Sequence, residues 1–213
     1  MIKKQIVDYY VKKFKASGIY LSGSRVRNKQ RKNSDWDIHL VVPDNENPLS
    51  EKFDNISIDI KYIHESKIDF SVIDTPYSPA VPFDVLYRDD KLKNKLIEYE
   101  NRTLARYMQG PKEWTSDELQ DNKTRLQRFL EAILGTTNNN IICFRHICKF
   151  FDLALVYWFG IRSRWPIPIY EAIDVFEQED TYFYNLITDF AQSKTNEQRA
   201  EIAVKIYNHL FDI

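Results

Sequence analysis

The chain has 213 residues, of which 43% are hydrophobic, 14% aromatic and 29% charged, which excludes an intrinsically disordered or low-complexity polymer and leaves room for one large domain or two small ones. Its 30 basic and 31 acidic residues give a net charge of -1. That balance excludes a general attraction to nucleic acid or to anionic membranes, and leaves small anionic substrates open.

In chain order, residues 2–15 place Ile6, Tyr9, Tyr10 and Phe14 at helical spacing, and the helix is expected to stop near Gly18. Residues 19–21 read as a short strand ending at Gly23. Residues 35–42 alternate Asp35, Asp37 and His39 with Trp36, Ile38 and Leu40, the period of a strand. A turn follows at 45–48. Residues 56–63 alternate again, with Ile56, Ile58, Ile60 and Tyr62 on one face and Ser57, Asp59 and Lys61 on the other. The stretch 64–82 carries three prolines and reads as a loop, 83–87 as a further strand, and a helix is expected soon after Asp90. From there the pattern is helical: 117–134, 141–159, 169–176, 181–190 and 197–211.

Strands first and helices afterwards predict an α+β chain. It comprises a small mixed β-sheet domain with flanking helices over residues 1–105 and an all-helical bundle over 106–213. No apolar run is long enough to cross a bilayer, and the N-terminal segment lacks the pattern of a signal peptide, so a cytoplasmic protein is expected. Cys143 and Cys148 match no disulfide or zinc spacing and read as small core residues.

The chemistry concentrates in the first half. Asp35 and Asp37 share one strand face, and Asp59 sits on the polar face of a later strand. If those strands are neighbours, three carboxylates converge. Such a group is costly unless a cation neutralises it, and a hard cation with oxygen ligands, Mg²⁺ first, suits it. Gly23 and Ser24 end the preceding strand. Glycine lets a phosphate approach the backbone, Ser24 and nearby amides can donate to it, and Arg25 adds a multidentate cation.

These segments, I-Y-L-S-G-S-R, S-D-W-D-I-H-L-V-V and I-S-I-D-I-K-Y, resemble the signature of the polymerase-β-type nucleotidyltransferase superfamily: Gly-Ser after a hydrophobic strand, Asp-x-Asp about ten residues on, and a later third acid. The resemblance covers roughly residues 15–90. It departs from many small members at Asn28, where they carry Gly, and in its basic stretch Lys29, Arg31 and Lys32, which reads as a solvated loop. The helical second half looks like the branch that adenylylates small molecules, including the aminoglycoside and lincosamide resistance enzymes.

The resemblance implies a Mg²⁺-dependent transfer of a nucleoside monophosphate, ATP being the first donor to consider, onto a hydroxyl of a small-molecule acceptor lying between the two domains. Antibiotics are among the candidate acceptors, and a homodimer is allowed. Asp35, Asp37 and Asp59 would be the catalytic metal ligands, and Gly23, Ser24 and Arg25 would hold phosphates. Asp59 is the first candidate for the base and Asp152 the second.

Every residue has a plainer role to weigh against this. Ser24 is also a helix cap, Arg25 also a surface ion-pair partner, and His39 reads as a hydrogen-bonded structural histidine. The helix 141–159 is apolar nearly all round apart from Arg145, His146, Lys149 and Asp152. Lys149 is either a phosphate ligand, as in related small-molecule enzymes, or a partner of Asp152. Tyr157, Trp158, Phe159, Trp165 and Trp114 read as core. Two other function classes stay in view: a toxin–antitoxin nucleotidyltransferase acting on protein or RNA, and an inactive nucleotide sensor.

Overall fold

The structure, a computed structural model, describes residues 2–28, 30, 34–74 and 78–211. It divides into two compact units, Met1–Gln109 and Gly110–Ile213.

In the first unit, helix α1 (Ile2–Phe14) ends on Lys15, which takes the left-handed conformation (φ 52°) that closes many helices. Strands β1 (Gly18–Ser22), β2 (Trp36–Val42), β3 (Glu51–Phe53), β4 (Ile56–His64) and β5 (Asp84–Arg88) form one sheet in the order β3-β4-β2-β1-β5. Strand β4 runs parallel to β2, and the other pairs are antiparallel. The short β3 was not expected from sequence. It joins β4 through Asp54 and Asn55, both at positive φ (48° and 64°), the two-residue turn whose twist suits a hairpin.

Alternate residues decide which face of the sheet is covered by what. Ile19, Leu21, Trp36, Ile38, Leu40, Ile58 and Ile60 pack with Ile6 and Tyr10 of α1. On the other face, Tyr20 and Val41 pack with Ile68, Ile73, Leu96 and Tyr99. Ile68 comes from a 3-10 turn, Glu65–Phe70, Ile73 from the segment just after it, and Leu96 and Tyr99 from helix α2 (Lys93–Gln109). Residues 64–74, expected as part of a loop, are therefore fastened in place. Ile73 N–H donates to Thr103 Oγ1 (2.9 Å), and Arg102 donates to the carbonyls of Ile68 and Ser71. Arg88 of β5 makes a two-pronged ion pair with Glu100 of α2, whose side chain is buried.

The second unit is five helices: α3 (Ser116–Leu134), α4 (Asn140–Ile161), α5 (Ile169–Glu179), α6 (Thr181–Gln192) and α7 (Asn196–Phe211). Phe150, Trp158, Phe176 and Phe183 are fully buried at its centre, with Tyr157 and Phe159 beside them. Trp114 also packs there, edge-on to Tyr157, and its ring fills the space a Cβ of Gly160 would need. Asp180 ties three helices together. It caps α6 at Phe183 N–H (3.0 Å) and accepts from Trp158 Nε1 (2.9 Å), Arg162 (2.9 Å) and His209 Nε2 (2.8 Å).

Two expectations are corrected here. The first half of α4, though apolar nearly all round, is buried on one side only: Ile141 and Phe144 are 85% and 63% exposed, and Arg145, Lys149 and Asp152 are exposed with them. Cys143 is buried but Cys148 is exposed, so only the first is a core residue. Among the described residues, no helix is long and apolar enough to cross a membrane.

The Arg88–Glu100 pair makes a stability prediction. Arg88→Met leaves a buried carboxylate without its partner and should cost about 3 kcal/mol in urea denaturation, while Arg88→Met with Glu100→Leu should recover most of that loss. A single variant as stable as wild type would show that the pair contributes nothing.

Candidate active site

The register of the sheet assembles the acids. In β1, β2 and β4, Ser22 pairs with Asp37, and Asp37 pairs with Asp59, so the three form one row across adjacent strands. The next row is Tyr20, His39 and Lys61. Side chains along a strand alternate, so both rows project from the same face of the sheet.

Asp37 is half-buried, whereas Asp35 and Asp59 are exposed. Its carboxyl is held above the ordinary carboxylate range, first by burial and then by repulsion from Asp59 and Asp35; Lys61 and Arg27 oppose the shift. Asp59 is fixed by Ser50, whose hydroxyl donates to Oδ1 (2.8 Å) and accepts from the Ile60 amide (2.9 Å). His39 is buried and shares a 2.8 Å hydrogen bond with Ser22 Oγ. Burial, helped by Lys61, pushes its pKa down to about 4, so it is a neutral, hydrogen-bonded histidine as the sequence suggested.

Gly23 opens a 3-10 turn, Gly23–Arg25, at φ 73°. A Cβ added there would lie 1.9 Å from Asp37 Oδ2. Glycine is required twice over, by conformation and by the carboxylate against it. Asn28, at φ 56°, also occupies the left-handed region, where Asn is the best-tolerated residue after Gly. The departure from the glycine of similar sequences thus preserves the backbone. Lys29, Arg31 and Lys32 lie outside the described residues.

Arg25 is engaged by the backbone ahead of β2. Its guanidinium donates to the carbonyls of Asp35 (3.0 Å, from Nε) and Ser34, and lies 4.7 Å from the Trp36 ring centroid. It clamps the approach to β2 and so positions Asp35. Ser24 is half-buried in the turn, and Lys149 stands on the exposed side of α4 in the second unit.

Among the described residues, no three His, Cys, Asp or Glu side chains are close enough to form a ready-made metal cluster. The donor set nevertheless fits a hard divalent cation that keeps most of its shell for water and substrate. It offers oxygen donors only, from Asp37 and Asp59 in register, and repulsion between them that a cation would relieve. Alternation alone sets Lys61 on the acidic face without giving it a role, and no local pattern singles out Ser22, Arg27 or Ser50.

Residues 4–97 match the family model described as Polymerase beta, Nucleotidyltransferase. The matched residues lie within the first unit and support a nucleotidyltransferase-type domain there. Across the whole chain, the fold is similar to the crystal structure of a nucleotidyltransferase-like protein from Exiguobacterium sibiricum 255-15. The TM-score is 0.51 at 12% identity, covering 100% of this chain and 75% of that one. No curated protein matches the sequence.

The raised carboxylate of the first unit predicts a pH-dependent gain on neutralisation. Asp37 titrates higher folded than unfolded. Its penalty is therefore absent at low pH, where both states hold the proton, and full once pH exceeds the folded value. Metal-free Asp37→Asn should melt above wild type near neutral pH, and the difference should shrink as pH falls toward about 4. A thermal series checks this, and an Asn variant less stable at neutral pH would contradict the assigned repulsion.

Proposed function

We propose that the protein is a Mg²⁺-dependent nucleotidyltransferase that moves a nucleoside monophosphate, AMP from ATP in the first instance, to a hydroxyl of a small-molecule acceptor. The observation that carries this reading is the Ser22–Asp37–Asp59 row with Gly23 set directly against Asp37. It places an open backbone turn beside paired carboxylates, which is what a metal-chelated triphosphate requires.

In this reading Asp37 and Asp59 hold the cation, with Asp35 beside them. When bound, it supplies polarisation of the α-phosphoryl group and neutralisation of the charge that develops there. The Gly23–Arg25 turn, through its amides and the Ser24 hydroxyl, holds the β- and γ-phosphates. Arg25 keeps Asp35 in place rather than reaching the nucleotide itself. Lys149 stays a candidate phosphate contact on its exposure alone.

The acceptor oxygen attacks the α-phosphorus, its bond to the β-phosphate bridging oxygen breaks, and pyrophosphate leaves. The acceptor proton goes to a carboxylate. Asp59 is the first choice, because it is exposed to solvent and one of its oxygens is anchored by Ser50.

The test is pyrophosphate release from ATP and Mg²⁺ in the presence of a hydroxyl-bearing acceptor panel that includes aminoglycosides and lincosamides, alongside titration of ATP itself. Wild type should bind ATP only with the divalent ion. Asp37→Asn should lower turnover by at least about a hundredfold while remaining folded. ATP binding that ignores both Mg²⁺ and Asp37 would sink the proposal.

A further inference from the structure

The first unit carries a groove of about 450 Å³ that begins one register row beyond the carboxylates. Its walls include His39 and Lys61 from the sheet, Phe70 and Asp74 from the stretch after β4, and Tyr99 and Arg106 from α2. The groove is built rather than incidental. Residues 68–73 form one wall, fastened to α2 by Arg102 at Ile68 and Ser71 and by the fully buried Thr103 at Ile73. Phe70 stands at its edge, 90% exposed.

The charges in this groove are unequal. Lys61 is half-buried, and no hydrogen bond or ion pair engages its ammonium among the described residues. Holding a cation partly out of water without a partner is costly unless a ligand uses it. The register places Lys61 one row beyond Asp37 and Asp59, between the acids and the groove. His39 is tied to Ser22 by a 2.8 Å hydrogen bond and lies deeper in the sheet than Lys61. Arg106, which also donates to Gln109 (3.4 Å), is a second cation, and Asp74 is the one carboxylate among the described lining residues. Once a metal offsets the acids in the neighbouring row, the groove is a cationic pocket with an aromatic rim.

The geometry points to this groove as the acceptor subsite, and to an acceptor that carries a negatively charged group, a phosphate or a carboxylate, held by Lys61 and Arg106. The inference rests on the nucleotidyl-transfer reading above and narrows it: a polycationic acceptor such as an aminoglycoside does not suit these walls.

The test titrates three matched probes, phenyl phosphate, benzoate and benzylamine, into the full chain saturated with a non-hydrolysable ATP analogue and Mg²⁺. Calorimetry should show that phenyl phosphate or benzoate binds alongside the analogue and that benzylamine does not; which anion binds more tightly assigns phosphate or carboxylate. Lys61→Gln and Arg106→Gln should each weaken anion binding by roughly five- to tenfold, the scale of a partly exposed charge-assisted contact. Three results would each overturn the inference. One is preference for benzylamine. Another is anion binding indifferent to both substitutions, or absent. The third is mutual exclusion between phenyl phosphate and the analogue, which would assign Lys61 to the nucleotide's own phosphates. The analogue titration is read separately. Its failure sinks the nucleotidyl-transfer reading, whereas anion binding sensitive to Lys61 and Arg106 would still mark the groove as an anion site.

Discussion

The parallel register of β2 and β4 puts Asp37 beside Asp59, and the rest of the domain is arranged to hold that contact. Two like charges on adjacent strands repel, and burial of one of them makes matters worse. What keeps them together is the other side of the sheet. Trp36, Ile38, Leu40, Ile58 and Ile60 fill the core under α1, and a slip of one residue would turn those side chains out and the carboxylates in. The apolar half of the alternation thus fixes the acids.

Gly23 meets the same constraint from above. Its backbone crosses so near Asp37 that a methyl group has no space, and its positive φ turns the chain away from β1 into a 3-10 turn. A residue needed for both reasons sets the backbone of the turn directly beside Asp37. Arg25 then secures the other end of the connection by gripping the Ser34 and Asp35 carbonyls and stacking on Trp36. The connection between β1 and β2 is held at both ends.

How much of this is legible in the sequence depends on whether the signal is local. The alternation of β2 and β4, the Gly-Ser turn and all five helices of the second unit follow from spacing within a few residues. Strand β3 is three residues long, below what periodicity can register, although the Asp54-Asn55 pair after it is a hairpin signal. Ser50 and Lys61 act through contacts across strands, so only the register shows what they touch. Arg25 has the residue type of a phosphate ligand, and its engagement by two carbonyls has no trace in one dimension. The stretch 64–82 looks like a loop because what fastens Ile68 and Ile73 is Arg102 and Thr103, some 30 residues later. On α4, Ile141, Phe144 and Cys148 read as core by hydropathy, yet they face outward, because hydropathy reports what a side chain favours and not which side of a helix its neighbours cover.

The acidic face of the sheet also has to serve as a packing surface, and the chain resolves that conflict along the strands. On β2 the face runs from Asp37 through His39 to Val41; on β4 it runs from Asp59 through Lys61 to Ile63. Charge sits at one end, apolar side chains under α2 at the other, and a polar step lies between. His39 is that step. A protonated imidazole there would be a buried cation backed by Val41 and Tyr20, so its low pKa follows from where the core begins. Its bond to Ser22 satisfies the ring without requiring charge, and Ser22 in turn belongs to the row of acids. One neutral pair therefore joins the dry end of the face to the charged end, and Lys61, in register with His39 on the neighbouring strand, carries the positive charge of that row.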